Sequence, residues 1–251
     1  MIFGKKSNFK TKFVSLDETV STNDYLRHYT PGNNEEMTVV SAKYQTGGRG
    51  QGTNKWESEE GQNLLFSILL HPGQLPIGRQ FTMSMAEAMA VKEVLDEYTD
   101  DISVKWPNDI YYKDKKIGGT LIETTIAGGH ITNFIVGTGL NINQEVFVSD
   151  APNPISLKMI TGKSEKPEKI LKKIVEHFDK LAFELLNGGY GDISEMYHAS
   201  LYRRNGFYKY RDAEGEFEAA FVEVEDDGHL ILRDREGMIR SYMFKEVEFI
   251  I

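Results

Sequence analysis

Apolar and polar positions change their period along this chain, and each change marks an element. Ile102, Val104 and Trp106 alternate with polar residues up to Pro107, which has no N–H for a ladder and so ends the run. Asn108-Asp109 is turn chemistry, Ile110-Tyr111-Tyr112 returns, and Lys113 to Lys116 make a polar tip. Ile117-Gly118-Gly119 follows, two glycines at which another group can approach bare backbone, before Leu121-Ile122 re-enters the core. Residues 105–123 thus read as strand, tight turn and strand, presenting Lys105, Asp109 and Lys116 beside glycine.

Upstream, residues 1–16 are polar with one short apolar alternation at Phe13-Val14, the pattern of an edge strand. Ser21-Thr22-Asn23 before Asp24-Tyr25-Leu26-Arg27 predicts a helix start with a hydroxyl cap. Val39-Val40-Ser41-Ala42 is a short buried strand, and the apolar run Leu64 to Leu70 predicts one buried on both faces. Phe81, Met85, Met89, Leu95 and Tyr98 fall close to helical spacing, giving an amphipathic helix over about 79–98 whose methionines fill core. Strand 131–138 ends in Gly137-x-Gly139-x-Asn141, half a dinucleotide fingerprint without the helix and distal acid of a Rossmann site. The stripe of Ile170, Leu171, Ile174, Val175, Phe178, Leu181, Ala182 and Leu185 makes a helix over about 167–187, opened by Pro167 and stopped by Gly188-Gly189. A shorter helix spans about 192–203. From Gly206 short strands alternate with turns at Asp212–Gly215, Asp226–Gly228 and Glu236-Gly237, about 45 residues that make a small barrel.

Composition narrows the chemistry. The absence of cysteine in 251 residues excludes disulfides, thiolate zinc sites and cysteine nucleophiles, and the six histidines show no metal-binding spacing. A net charge of −9 disfavours non-specific nucleic-acid binding. No apolar run reaches the length of a membrane span and Met1 to Lys6 is too short and polar for a signal peptide, so no membrane partner and a cytoplasmic location are expected. The stretch from Gln45 to Trp56 carries four glycines with Arg49 among them, a loop able to wrap an anion with backbone N–H groups. It is not a P-loop, for no Gly-Lys-Ser/Thr follows.

Taken in order, these pieces resemble the biotin–protein ligases (biotin–[acetyl-CoA-carboxylase] ligases), over about residues 13–251. The set is Ser21-Thr22-Asn23; Gln45 with Gly48-Arg49-Gly50 and Trp56; Lys105-Trp106-Pro107-Asn108-Asp109; Lys116-x-Gly118-Gly119-x-Leu121-x-Glu123; and Gly137-x-Gly139-x-Asn141. The turn Asp226 to Leu230 fits the family's SH3-like barrel. The resemblance implies an α/β (α+β) fold: a mixed-sheet catalytic domain over 1–204 and an SH3-like domain over 205–251. No residues remain ahead of the first motif for a DNA-binding domain, so a monofunctional ligase is expected rather than a biotin-sensing repressor.

The resemblance also implies roles. Ser21, Thr22, Asn23 and Gln45 match positions that hold the biotin rings. Gly48-Arg49-Gly50, with Gln51 beside it, matches the loop that orders over the biotin carboxylate and the phosphates, and Gly118-Gly119 the strand on which biotin lies. Lys116 matches the lysine bridging carboxylate and α-phosphate, so Lys116 and Arg49 are the expected catalytic cations. Lys105, Asn108, Asp109, Trp56 and Asn141 complete an expected ATP side, with Mg2+ accompanying ATP through Asp109 at most. Biotin, ATP and a biotin carboxyl carrier protein or domain are the implied partners, and a homodimer is left open. One departure is Gln51, where many members carry a second arginine; a later glycine of the loop is also displaced, with Gly52 and Thr53 in its neighbourhood. The physics agrees: when a carboxylate attacks the α-phosphorus two anions meet, and the site must supply positive charge. The alternatives are a lipoate ligase, whose longer Arg-Arg-x-Ser-Gly-Gly-Gly type loop is absent, and a non-catalytic binding module, which leaves the glycine stretches unexplained.

Overall fold

The structure, a computed structural model, describes residues 8–73, 75–149 and 153–251. The first seven residues of the expected edge segment lie outside the described residues. From β1 (Thr11–Thr19) onward the chain builds a seven-stranded sheet with β2 (Met37–Gln45), β3 (Leu64–Leu70), β4 (Ile102–Lys105), β5 (Asp109–Tyr112), β6 (Lys115–Ala127) and β7 (His130–Leu140). The spatial order is β1-β2-β3-β7-β6-β5-β4, so β1 is indeed an edge. It pairs with β2 in parallel while the other pairs are antiparallel, which makes the sheet mixed.

Alternation along the strands assigns two faces. Phe66 and Ile68 of β3 and Phe134 and Val136 of β7 enter the main core, beneath α2 (Gln80–Leu95), α4 (Pro167–Leu186) and α5 (Tyr190–Ala199). Val40, Leu69 and Ile135 point the other way, into a small cluster closed by Leu26 of α1 (Thr22–Arg27). The rest of that second face, around Gly119, Gly137 and Gly139, is the wall of a cleft.

Several sequence expectations need correction. Helix α2 is not amphipathic: Thr82, Ser84, Glu87 and Ala90 are buried along with Phe81, Met85, Met89 and Leu95. Helices α4 and α5 pack over the sides the sheet leaves bare, so no polar stripe is required. The hairpin holds three strands, β4, β5 and β6, with the β4–β5 turn across Trp106-Pro107-Asn108 and a tip at Lys113-Asp114. Lys115 and Lys116 therefore belong to β6 and not to the tip. Register slips between Ile110 and Tyr111, which face Gly118 and Lys116, so Ile117 is an extra residue on β6. The bulge puts Lys116 on the same side as Gly119, three positions on, where simple alternation would have opposed them. Helix α5 ends at Ala199 rather than near 203, because Leu201 then bridges to Val104 of β4. A short helix, α3 (Leu157–Thr161), was not anticipated; Ser156 caps it by accepting from the Met159 N–H.

The carboxy-terminal strands β8 (Phe207–Asp212), β9 (Gly215–Val224), β10 (Leu230–Asp234), β11 (Ile239–Tyr242) and β12 (Glu248–Phe249) form an antiparallel sheet in the order β11-β10-β9-β8-β12, consistent with the SH3-like fold. Its Tyr210, Ala219, Val224, Leu230 and Leu232 belong to the same buried cluster as the first sheet. At the joint the Trp106 indole donates to Gly228 O at 3.0 Å, and Phe244 lies 5.5 Å from Trp106 and 5.7 Å from Phe81 between ring centres. No helix among the described residues is long and apolar enough to cross a membrane.

Candidate active site

The cleft has a volume of about 1570 Å³ and runs between the free face of the first sheet, the loop 48–56 and the second sheet. Its floor is where β6 and β7 cross-pair glycines: Gly119 faces Gly139 and Leu121 faces Gly137. A Cβ at Gly137 would enter Asn23 and Ser67, and one at Gly139 would enter the Trp56 indole. These glycines are needed for close approach, since neighbours already fill the space a side chain would take.

Beside the floor stands a buried polar wall. Ser67 Oγ lies 2.6 Å from both Thr22 Oγ1 and Asn23 Oδ1. Gln45 Oε1 accepts from the Thr22 N–H at 2.7 Å and from Thr22 Oγ1 at 3.1 Å. Asn23 Nδ2 donates to Glu123 Oε2 at 3.1 Å and Leu121 O at 3.3 Å. The expected hydroxyl cap is therefore absent: Ser21 sits at the N-cap position of α1 without a side-chain bond, and an early N–H of the helix is satisfied by Gln45 instead. Ser67 was missed by sequence reasoning. A lone serine within the apolar run Leu64–Leu70 was the available signal, because a hydroxyl buried there requires a partner.

The cations are arranged as follows. Lys116 Nζ is paired with Asp109 Oδ1 at 2.6 Å and lies 5.9 Å from the Trp56 ring centre. Arg49 meets Asp24 at 2.8 Å and Glu123 at 3.4 Å, and Arg27 shares the same two carboxylates at 2.8 and 2.6 Å. Lys105 lies over Phe249 of β12 at 4.8 Å and Tyr111 at 5.4 Å. Burial pulls its ammonium below the usual lysine range, with Asp109 opposing. Asn108 Nδ2 donates to Thr120 O, whose own N–H donates to Asn108 O at 3.0 Å, fixing the turn.

The glycine loop, which the sequence reads as able to wrap an anion, has part of its backbone already paired within itself. It closes as a small hairpin: Gly50 N–H donates to Asn54 O at 2.8 Å and Trp56 N–H to Gly48 O at 3.0 Å. Gly48 lies behind the wall, where a Cβ would press on Trp56 O at 2.8 Å. Gly118 also faces away from the cleft, and the room it leaves is taken by Leu140 of the core. The remaining expected residues, Ser21, Thr22, Asn23, Gln45, Arg49, Gly50, Gln51, Trp56, Lys105, Asn108, Asp109, Lys116, Gly119 and Asn141, line the one cleft. Asn141 spends its amide on Ile155 O at 3.2 Å, which ties the end of β7 to the approach to α3. Trp56 Nε1 is buried without a partner among the described residues.

Behind the floor lies Glu87, the other residue that sequence reasoning passed over. It is fully buried in α2, where Thr138 Oγ1 donates to Oε1 at 2.6 Å and Thr120 Oγ1 to Oε2 at 3.2 Å. Burial pushes its carboxyl up to about 7, against the pull of the two hydroxyls.

A model of the biotin/lipoate A/B protein ligase family matches residues 16–141. The bifunctional ligase/repressor BirA of Bacillus subtilis is 26% identical over 247 residues, covering 96% of this chain and 75% of that protein. The biotin–[acetyl-CoA-carboxylase] ligase of Paracoccus denitrificans is 27% identical over 231 residues, covering 88% of this chain and 94% of the other. Among solved structures, the biotin protein ligase of Aquifex aeolicus in complex with biotin and ATP superposes with a TM-score of 0.78 at 26% identity, over 96% of this chain and 98% of that one.

Proposed function

The chain belongs to the biotin/lipoate A/B protein ligase family, and on that premise we propose that it is an ATP-dependent biotin–protein ligase. The reaction joins the biotin carboxylate to the α-phosphorus of ATP with release of pyrophosphate. The resulting biotinyl-5'-AMP then gives its acyl group to a lysine amine of an acceptor protein, with AMP leaving. The observation that carries the reading is the glycine floor of Gly119, Gly137 and Gly139 with the Lys116–Asp109 pair at its edge and a buried polar wall beside it. A flat glycine floor suits a ring system, a wall of amide and hydroxyl groups suits a ureido group, and a lysine at the edge suits the meeting of a carboxylate with a phosphate. The relatives supply the chemical class: one is named a biotin–[acetyl-CoA-carboxylase] ligase, and a similar structure holds biotin and ATP.

Within this reading Thr22, Asn23, Gln45 and Ser67 orient the biotin rings, while Lys116 and Arg49 stabilise the charge that gathers as carboxylate and α-phosphate join. Both cations are held by carboxylates, Lys116 by Asp109 and Arg49 by Asp24 and Glu123. Their positions are thereby set before substrate arrives. The donor set also fits Mg2+ accompanying ATP. Asp109 is a half-buried carboxylate with one oxygen on Lys116, and its other oxygen would hold the ion, as a single carboxylate commonly does when phosphates supply the other ligands. The ion would supply neutralisation of phosphate charge. The acceptor is proposed to be a biotin carboxyl carrier domain, approaching the lip formed by the second sheet.

The test is ATP–pyrophosphate exchange with biotin, with lipoate and with neither. Biotin-dependent exchange is expected, with no response to lipoate. A thermal shift with biotin plus ATP checks binding independently, since a ligand at 100 times its dissociation constant stabilises by about 2.7 kcal/mol. Lipoate-dependent exchange would move the assignment to the other branch of the family.

A further inference from the structure

The glycine floor has little of its own to hold its strands in register. In the successive pairs Gly118–Leu140, Gly119–Gly139, Thr120–Thr138 and Leu121–Gly137, only Thr120 and Thr138 put side chains on both strands. Cross-strand side-chain pairs are what stabilise a ladder, and glycine-rich strands specify their register weakly. The hydroxyls of this one pair meet behind the floor, at the buried Glu87 of α2.

Three contacts join the three side chains. Thr138 Oγ1 lies 2.6 Å from Glu87 Oε1, Thr120 Oγ1 lies 3.2 Å from Glu87 Oε2, and the two hydroxyl oxygens are 3.0 Å apart. Two threonines bring two protons. With an ionised carboxylate both protons go to it, and the hydroxyl–hydroxyl contact is left as facing lone pairs. A neutral carboxyl brings the third proton. It then donates to one threonine, that threonine to the other, and the second threonine back to the remaining carboxyl oxygen, so every contact is a hydrogen bond. An apolar side chain would fill the same place without desolvating a carboxyl. A buried polar network that is fully satisfied instead holds a single arrangement rigidly.

Among the described residues no charged group acts on this carboxyl from the elements packed around it. On α2 itself Lys92 is taken by Asp96, and Glu93 by His177 of α4. Asp179 of α4 accepts from the Asn8 and Phe9 N–H groups, while in α5 Tyr197 packs edge-on against Phe81 and His198 lies on the Val224 backbone. Lys105 of β4 lies over Phe249, Lys116 and Glu123 of β6 meet Asp109 and Arg27, and His130 of β7 lies on Gly128 O. The proton on Glu87 therefore answers to burial and to the two threonines.

We propose that Glu87 is a positioning residue for the biotin floor: its neutral carboxyl closes a ring of three hydrogen bonds with Thr120 and Thr138 and so holds β6 and β7 at the spacing the ligand rings require. The inference rests on the ligase reading for the identity of the ligand. When Glu87 ionises the ring opens, the glycine crossing loosens, and biotin binds less tightly.

The test is calorimetric titration of the full chain with biotin, without nucleotide, at pH values from about 6 to about 8.5. A ligand carboxylate stays ionised over this range, and no histidine lines the cleft. The parent is expected to lose about tenfold in affinity across the range, the scale of one hydrogen bond lost. Glu87→Gln has an amide that donates to one threonine and accepts from the other at every pH. It should match the parent at the acid end and lack the parent's loss at the alkaline end. Glu87→Leu removes the ring altogether and should bind about tenfold more weakly throughout, with a melting temperature at or above the parent's. A merely structural role would move melting temperatures and leave the pH dependence of biotin affinity the same in the parent and Glu87→Gln. That result, or parental affinity in Glu87→Leu, overturns this inference alone. A parent that binds no biotin at any pH overturns the ligase reading with it.

Discussion

At the scale of single residues, the two acidic groups nearest the floor behave in opposite ways. Asp109 holds Lys116 in place at 2.6 Å, and the lysine is the cation closest to the glycine floor. Lys116→Ala is therefore expected to lower adenylate formation by about a hundredfold or more while the protein still folds, measured as pyrophosphate release in single turnover. Wild-type activity in that variant would remove Lys116 from its assigned role. Glu87 lies behind the floor, held by the hydroxyls of Thr120 and Thr138 of the cleft's lining, and has no cation beside it. Its carboxyl is raised from 4.5 to about 7 in the folded protein. Below the unfolded value both states hold the proton and nothing is lost. Between pH 4.5 and about 7 the unfolded chain ionises while the native state keeps its proton, so stability falls with rising pH, by on the order of 3 kcal/mol in total. Glu87→Gln has no such proton to lose. Chemical denaturation is expected to show the variant matching the parent near pH 4.5 and exceeding it above pH 7. A difference that does not change with pH would mean that Glu87 is ionised throughout.

Among the elements, the crossing of β6 and β7 concentrates the site's demands. Gly137→Ala would drive a methyl into Asn23 and Ser67 and displace the polar wall from its floor. A loss of about 1–3 kcal/mol of stability and at least a tenfold loss in biotin affinity are expected, read by melting and by calorimetry. Gly191→Ala in α5 is the control: a Cβ there meets nothing within 4 Å, and about 0.5–1 kcal/mol of stabilisation is expected. These same elements show what the chain reveals by itself. The glycines, Lys116 and the places of most strands along the chain were legible because each depends on local spacing and residue type. The face on which Lys116 lies was not, since it follows from the bulge at Ile117, and a register slip exists only between strands. Burial of α2 on every side depends on α4 and α5, which lie far along the chain and leave no trace in the period of residues 80–95. Ser67 and Glu87 were hidden for a related reason. One polar residue in an apolar segment declares that a partner exists and says nothing of where it is.

At the scale of the whole molecule, the second sheet is bound to the first by buried structure and not by a tether. One apolar cluster contains Phe66 and Val136 of the first sheet together with Tyr210, Leu230 and Leu232 of the second. Trp106 stands at the joint, 3% exposed, with its indole on Gly228 O and Phe244 against its ring. Removing residues 205–251 would strip Phe81 and Trp106 of the cover given by Phe244 and Gly228, so such a truncation tests folding before it tests acceptor docking. A shared core predicts a single cooperative transition for the intact chain. The protein offers a direct way to see it, because its two tryptophans report separate places: Trp56 the cleft and Trp106 the joint. In Trp56→Phe the fluorescence comes from Trp106 alone, while far-ultraviolet circular dichroism is dominated by α2 and α4 of the first layer. Urea unfolding followed by both signals should give one midpoint and one slope. A fluorescence change that precedes the loss of helix would show the second sheet leaving first.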